Sequence, residues 1–547
     1  MAKKLEWTAA LLLTVLALVL HVSRFQHAGA LWRDEAAAVG LATQPSLSAV
    51  FEAFPHEAFP MVFPVTVRTW VAVTGGSDTA LRLFGLLVGL GILGALWWNA
   101  WTVTRHPPLV SLALLAASPP LFQFGDSLRG YGLGTLFLLL TFGLLAAAFV
   151  RPSPGSRGRL AALITGAIGA TGAMALLAVH CLISNWALLA ALCAAAAAVH
   201  LWRGRGREAV LALGIGLVAA LSLLPYVGPL SRAREWNVVV QSPSAVGLDA
   251  VWSGLAGVAG APVPAAKWVW VLALVLAVLG GVRIVGARPV LETEGGERGR
   301  DLALFGMLTV ALGAALFFLF MEVLRYDPRP WYYLPFLALV ASVFDVLIAG
   351  LGTAPGRRLA LAGGALAVGA VLFLPARGAA AVRQTNADLV AQAVTRGAAS
   401  GDLVLVNPWY DGISFARYYR GRAPWITLPE MTDHRFHRYD LLKARMASPR
   451  PINDVLEGIG ATLAAGHRVW VVGGIHLLPP GVRPRVLPPA PGSSWRWFDV
   501  PYNVAWSQQT GAFLQAHAAR AGMVDVPVPG PVSDYERQKL LVFDGWR

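Results

Sequence analysis

Long apolar runs dominate the first part of the chain, and polar residues gather in the gaps between them. Runs at 7–23, 84–102, 132–150, 208–227, 268–286, 302–321, 332–350 and 359–375 each approach the roughly 20 residues that cross a hydrocarbon core. Weaker runs at 108–124, 160–178 and 181–202 bring the total to about eleven spans. After 375 the period changes. "RQTNADLVAQAVTRGA", "GISFARYYRG" and "NVAWSQQTGAFLQAHAAR" read as helices, and "DLVLVNP", "PWITLP", "RVWVVGG" and "KLLVFDGW" as strands. Between them lie a basic stretch, "DHRFHRYDLLKARM", and an exposed Pro-rich loop, "LLPPGVRPRVLPPAPG". The expected architecture is a multi-span α-helical membrane part, residues 1–375, followed by a small α/β layer domain, residues 376–547.

Composition agrees. Of 547 residues, 56% are hydrophobic and 14% charged, and the mean hydropathy is +0.59. The net charge of +14 would suggest nucleic acid in a soluble protein. Here it follows the positive-inside rule, and no nucleic-acid motif is present, so nucleic acid is not expected as a partner. Lys3 and Lys4 put the N-terminus in the cytoplasm. Arg105, Arg151, Arg157, Arg159, Arg203, Arg205, Arg207, Arg283, Arg288, Arg298, Arg300, Arg357 and Arg358 then mark successive cytoplasmic loops. An odd number of spans leaves the tail outside, at the outer face of the cytoplasmic (inner) membrane. The first run reads as an uncleaved helix, because "AGALW" is a poor cleavage site. Cys181 and Cys193, about 18 Å apart along one expected helix, cannot pair.

The alternate, outward loops are longer and carry the candidate chemistry. The loop 24–80 holds "LWRDEAAAVG", "PHEAFP" and an apolar stretch, "PMVFPVTVRTWVAVTG", too short to span and expected to lie along the surface. Asp34 and Glu35 are carboxylates beside lipid, where charge is costly. Partial burial is expected to raise one of them toward the working range of a general base. His56 and Glu57 form a second polar pair. "FGDSLRGYGLG" puts Asp126, Arg129 and Tyr131 at the outer boundary, with Asp126 and Arg129 spaced to pair on a helix face. His180 lies at a helix end on the same side. Arg325, Asp327, Arg329, Trp331, Tyr332 and Tyr333 sit at the mouth of a later span. Arginines outside defy the charge trend, so Arg325, Arg329, Arg232 and Arg234 are candidates for holding a phosphate. HExxH, clustered Cys/His and P-loop motifs are absent from the sequence, although Asp34 and Glu35 are candidates for a divalent cation. In the tail, Trp409, Tyr410, Tyr418 and Tyr419 are either an exposed set that stacks on sugar rings or partly core.

The ordered set of motifs resembles the GT-C superfamily of polyprenyl-phosphate-sugar-dependent glycosyltransferases. It is most similar to glycosyltransferase family 39, with its protein O-mannosyltransferases and lipid A aminoarabinose transferases. The motifs are "WRDEA", "FPVTVRTWVAVTGGSDTALRLFGLLVG", "SPPLFQFGDSLRGYGLG", "HCLISNWALL", "DPRPWYYLPFLAL" and "GDLVLVNPWYDGISFARYYRG". "AFPMVFPV" stands where many relatives carry "PPLYY", which leaves the acceptor open. The resemblance implies an inverting transfer of sugar from a polyprenyl-phosphate donor to a lipid, glycan or protein acceptor, through a hydroxyl or a phosphate, among membrane lipids. It implies Asp34 as general base with Glu35 in support, and Arg129 and Arg329 on the donor phosphate. His56, Glu57, Asp126, Tyr131, His180, Arg325 and Tyr332 complete the expected binding set. The competing readings are a flippase or transporter for lipid-linked sugars, which needs polar groups deep in the spans or broken helices, and a membrane-anchored scaffold. Asp345 stands out within a span.

Overall fold

The computed structural model describes residues 1–150, 157–233, 247–286, 294–324, 328–351, 354–490 and 498–547. Among them, nine helices are long and apolar enough to cross a membrane: Ala2–His27, Asp78–Thr104, Gly130–Phe149, Asn185–Trp202, Gly206–Arg232, Pro264–Gly286, Gly296–Leu324, Pro330–Ala349 and Pro355–Ala380. The helix Arg157–Cys181 adds another of comparable length. Pro330–Ala349 is the most enclosed, with 83% of its apolar window buried, against 17% for Gly206–Arg232. The first is therefore the centre of the bundle, and the second presents its side chains to lipid.

The weak run at 108–124 forms no continuous helix. It is Leu109–Leu115, a break, and then one wide turn, Leu121–Gly125. Ser118-Pro119-Pro120 makes the break, because proline lacks an amide donor and pushes its predecessor out of the helical region. The segment still runs between the two ends of the bundle. At its start, Asp345 accepts hydrogen bonds from the backbone N–H of Val110 (2.8 Å) and Ser111 (3.3 Å). At its end, Asp126 meets His21 of the first helix. About eleven spans are expected from the sequence, and nine helices among the described residues are long and apolar enough to cross. Asp345, singled out as an acid within a span, caps the broken helix.

Two boundaries move. The last apolar helix continues to Ala380 with Pro375 inside it, past the expected end of its run at 375. The helix expected over 181–202 starts at Asn185, and Cys181 ends the preceding helix. The two cysteines therefore lie on different helices; both are buried free thiols.

The first outer loop folds into four helices, Arg33–Ala42, Leu47–Glu52, Phe54–Glu57 and Val62–Thr74. The last is the short apolar helix expected, with Pro64 in its first turn and Gly75 ending it at φ +79°. Arg68 donates from it to the carbonyls of Ala42 and Gln44, the unpaired C-terminal end of the first.

The C-terminal domain, called the outer domain for the side on which it is expected, holds a five-stranded sheet of β1 (Leu403–Asn407), β2 (Trp425–Thr427), β3 (Val469–Gly473), β4 (Ala518–Val524) and β5 (Lys539–Trp546). The order is β2-β1-β3-β5-β4, with β1, β2 and β3 parallel and β5 antiparallel to both β3 and β4. Every residue of β1 and β3 is buried. Leu403 and Leu405 face one apolar layer, and Val404 and Val406 the other. The sequence reading placed Ala518 to Arg520 in a helix; they open β4, an exposed edge strand without a β-branched start. The domain is tied to the membrane part at several points. Tyr418 accepts from the Leu31 N–H (2.7 Å) and donates to Asp78 (2.6 Å), Arg417 pairs with Asp78, and Gln384 N–H donates to the Ala28 carbonyl. Gly40 lies directly under the Arg435 carbonyl, where a Cβ would stand 2.0 Å from the oxygen.

The Asp345 cap predicts a measurable stability loss. Asp345→Leu should lower the melting temperature in detergent, by about 1–3 kcal/mol of lost satisfaction of backbone donors. Asp345→Asn, which keeps an acceptor, should lose less. Equal melting of all three proteins would refute the cap.

Candidate active site

The helix Arg33–Ala42 begins at Trp32, and Asp34 and Glu35 fall in its first turn, where negative charge suits the helix dipole. Adjacent helical residues point about 100° apart, and the two acids consequently part company. Glu35 is 1% exposed. Its Oε1 accepts from Arg82 Nη1 (2.6 Å) and from the Leu128 N–H (3.1 Å). Arg82 also donates to the carbonyls of Gly29 (3.2 Å) and Ala30 (2.6 Å). Glu35 is thus a buried strut between the outer helix, the second span and the 126–129 turn.

Asp34, its side chain 14% exposed, lies between that turn and the outer domain. Its Oδ2 lies 3.6 Å from Arg129 Nη2, and its Oδ1 lies 3.7 Å from both His437 Nε2 and Arg33 Nε. These are attractive distances but too long for hydrogen bonds, so the oxygens keep capacity for a ligand. Burial pushes the Asp34 carboxyl up, but Arg129, His437, Arg33 and Arg329 outweigh it and hold the carboxyl below its ordinary value. That reverses the expectation that burial would raise it. Asp34 stays ionised at neutral pH.

The cations around Asp34 are anchored elsewhere. Arg129 pairs with Glu57 (3.2 Å), donates to the Asp34 carbonyl (3.0 Å) and lies over the Phe59 ring at 4.6 Å. Despite burial, Asp34 and Glu57 help hold its proton more firmly than usual. Glu57 accepts from His437 Nδ1 (2.7 Å) and from the His437 backbone N–H (3.1 Å). Burial opposes its ionisation, yet His437 and Arg129 keep it below the ordinary glutamate range. Arg33 Nη1 donates to the Tyr535 carbonyl, its backbone N–H donates to Glu536 (2.7 Å), and its guanidinium lies 4.5 Å from the Tyr410 ring. Burial pushes both Asp411 and Glu536, which flank Arg33, upward.

Of the expected residues, Asp34, Glu57, Arg129 and Arg329 share this region, Arg329 through its charge on Asp34. Tyr131 and Tyr332 stand beside it with ring centres 5.9 Å apart, joined to Trp331, Trp32 and Tyr535 in one aromatic cluster. His56 instead packs on Phe436 at 5.2 Å and lies 3.8 Å from Asp440. It docks the outer domain. Asp126 does not pair with Arg129: residues 126–129 form a bend rather than a helix, and both Asp126 oxygens face His21 Nδ1, at 2.7 and 2.9 Å. His180 bonds Ser222 (2.9 Å) and Tyr226 (3.3 Å), and the Tyr226 hydroxyl braces the loop by accepting from the Met61 N–H. Arg232 is exposed. Arg234, Arg325 and Asp327 lie outside the described residues. The tail aromatics are mostly not surface groups. Trp409 is 2% exposed and Tyr419 9%, Tyr418 is a domain clamp, and only Tyr410 reaches the site.

Asp34 and Glu35 do not fit a divalent cation. They point apart, Glu35 is taken by Arg82, and Asp34 is already ringed by positive charge. Among the described residues no other group of three or more His, Cys, Asp or Glu converges as metal ligands would.

Sequence reading did not single out Arg33, His437, Asp411, Glu536 or Tyr535 for the site. Arg33 adjoins the acid pair in the sequence. His437 lies some 400 residues from Asp34 in a generic basic stretch, and no local pattern marks it.

No protein-family model matches the sequence, and no curated protein matches it either. Solved structures do match. ArnT from Cupriavidus metallidurans bound to undecaprenyl phosphate aligns over 97% of each chain, with a TM-score of 0.52 and 13% identity. The same protein in the apo state aligns over 84% of this chain and 92% of its own, at 0.51 and 14%. The oligosaccharyltransferase AglB from Archaeoglobus fulgidus, in complex with an inhibitory peptide and a dolichol-phosphate, aligns over 85% of this chain and 69% of its own, at 0.44 and 13%. The likeness to ArnT is one of fold: this chain has the helical membrane architecture with an outer α/β domain that the motif resemblance implied.

The two acids should separate in a stability measurement. Glu35→Ala strands the Arg82 charge and should cost about 3–5 kcal/mol, seen as a lower melting temperature and poor yield. Asp34→Ala should melt close to wild type, because its carboxylate holds no hydrogen bond. If both variants melt alike, the division of roles is wrong.

Proposed function

We propose that this protein is a membrane glycosyltransferase that moves a sugar from a polyprenyl-phosphate donor to an acceptor at the outer face of the cytoplasmic membrane. One observation carries the reading. A single accessible carboxylate, Asp34, stands among Arg129, His437 and Arg33 at 3.6–3.7 Å, at the seam between the bundle and the outer domain. The fold shared with a protein solved with undecaprenyl phosphate supports the donor class.

Such a donor presents its anomeric carbon just above the lipid. An acceptor hydroxyl attacks it, the bond to phosphate breaks, and negative charge builds on the leaving phosphate. Asp34, ionised and free of hydrogen bonds, takes the hydroxyl proton, an effect worth about 10²–10⁴ in rate. Arg129 and Arg329 stabilise the phosphate through charge already in place. Tyr131 and Tyr332 line the sugar's approach, and Glu57 holds Arg129 in position. Attack on the face opposite the phosphate makes the transfer inverting. Asp126, His180 and His56 have the partners of framework residues and are not assigned to substrate. Polarity also supports the orientation: Arg105 and Arg358 lie at the far end of the bundle from Asp34, Arg358 paired with Glu6 of the first helix.

A flippase needs charge free to act near the midplane. Asp345 is instead occupied by the Val110 and Ser111 amides, which favours the transferase.

The decisive assay mixes purified protein with radiolabelled undecaprenyl-phosphate pentoses and hexoses and an extract of membrane lipids and glycans. Wild type should transfer label, and Asp34→Asn should be slower by at least about 10². Equal transfer by both would remove Asp34 from the chemistry. No transfer, with labelled lipid crossing liposomes, would establish the flippase.

A further inference from the structure

The parallel strands of the outer domain end beside the site, and several buried polar groups there lack partners. The chain passes from β1 to β2 on one side and then crosses to β3 on the other. Such a reversal opens a crevice outside the carboxyl ends of the two strands, where open sheets hold their ligands. Here those ends are Asn407 and Gly473, paired in register. Gly473, at φ +94°, passes so close that a Cβ would stand 1.9 Å from the Asn407 carbonyl oxygen. Trp409, Tyr410 and Asp411 follow β1, Asp499 and Asn503 lie at the start of the helix Val500–His517, and Gln538 precedes β5. Trp409 Nε1, Asp411 Oδ1, Asn503 Oδ1 and both amide atoms of Gln538 are buried without a hydrogen-bond partner.

Buried polar groups are nearly always satisfied, so this concentration of exceptions points to a ligand. Gln538 stands beside the Asp411 carboxyl without closing a hydrogen bond to it. Asp411 and Asn503 offer acceptors, Trp409 a donor, and Gln538 both. Hydroxyl groups donate and accept at once and match this mixture. An ionised phosphate only accepts and does not. Charge argues the same way: Asp411, Glu536 and Asp499 stand around Tyr410 and face Arg33, which disfavours a further anion. An extended peptide would add to a strand edge, but β1 lies between β2 and β3, and β3 between β1 and β5. A neutral sugar is the ligand that fits, with the half-buried Tyr410 ring beside it.

The crevice adjoins the acid that the chemistry uses. Arg33 Nη1 lies 3.7 Å from Asp411 Oδ1, and Arg33 Nε lies 3.7 Å from Asp34 Oδ1, so one guanidinium separates the two carboxylates. Exposure rises from 7% at the Asp411 side chain to 18% at that of Arg33, and the approach is therefore from the side of Asp34. We propose that the crevice at the carboxyl ends of β1 and β3 is an acceptor subsite: it holds a neutral sugar of a glycan acceptor through Asp411, Gln538 and Trp409, and presents a hydroxyl of that glycan to Asp34. The inference rests on the transferase reading and names its acceptor class. Gln538 binds the acceptor and takes no part in the chemistry.

The test is binding without donor. The full-length protein, in a detergent that has no sugar head group, is dialysed to equilibrium against radiolabelled neutral oligosaccharides of glucose, galactose, mannose and arabinose. Wild type should bind at least one of them saturably, and the matching sugar phosphates should not displace it. Gln538→Leu should weaken that binding about tenfold, as the loss of one or two neutral hydrogen bonds does. It should melt no lower than wild type, because the amide holds no partner in the free protein. In the transfer assay it should need more extract for half-maximal rate, with KM for the donor unchanged. A Gln538→Leu protein that melts lower and binds equally well would assign the amide to an ordered water only and overturn the subsite. So would wild type that binds no oligosaccharide, or a bound oligosaccharide displaced by a serine-rich peptide. Should Gln538→Leu fail to fold, Asp411→Asn decides: weaker binding supports the subsite, and equal binding overturns it. Transfer without oligosaccharide binding leaves the transferase standing alone. Binding without transfer from any donor leaves the sugar site and removes the transferase, and the acceptor role with it.

Discussion

The buried pair of Glu35 and Arg82 is the contact on which the outer face is assembled. Burying two charges costs several kcal/mol per ion unless their hydrogen-bonding groups are satisfied. Arg82 meets that condition with donors to Glu35, Gly29 and Ala30; Glu35 meets it at Oε1, which also takes the Leu128 N–H, while its Oε2 is buried without a partner. The pair thereby joins the second span, the first outer helix and the 126–129 turn at one point. Gly85 and Gly89 allow the turn to approach: a Cβ at Gly85 would stand 1.8 Å from the Asp126 carbonyl oxygen. With the turn fixed there, Arg129 is delivered to Asp34.

That delivery explains why the site is open. Three of the cations near Asp34 are held by other groups, Arg129 and His437 by Glu57, and Arg33 by Glu536 and the Tyr535 carbonyl. They stand 3.6–3.7 Å from Asp34. Charge held in place before the reaction needs no reorganisation during it. The outer domain is then part of the site rather than an attachment, since His437, Tyr410 and Glu536 all come from it. Its clamps at Tyr418 and Gly40 set the height at which His437 meets Asp34.

Much of the membrane architecture was legible because lipid imposes a length and a polarity on every span. The run at 108–124 shows the limit. Its hydropathy reads as a helix, but Ser118-Pro119-Pro120 breaks it, and the crossing is completed only because Asp345 caps one part. In the tail, β1 and β3 were clear as apolar runs, whereas β4 has no strand signature and exists through pairing with β5. The tail aromatics were open between surface and core for a similar reason: Trp409 is core because it packs against the Tyr410 and Tyr439 rings within one apolar layer, which no local pattern records.

The sequence by itself determined the apolar spans, the basic loops and the placing of two acids together between the first two spans, since hydrophobic length, charge and residue order are local properties. Only the tertiary structure decided which acid lies beside the outer domain and which is buried against Arg82. Only it brought His437 to within reach of Asp34, and only it paired Asp126 with His21 instead of Arg129. Those outcomes depend on which charges meet in a low-dielectric interior, and that is set by the packing of segments hundreds of residues apart.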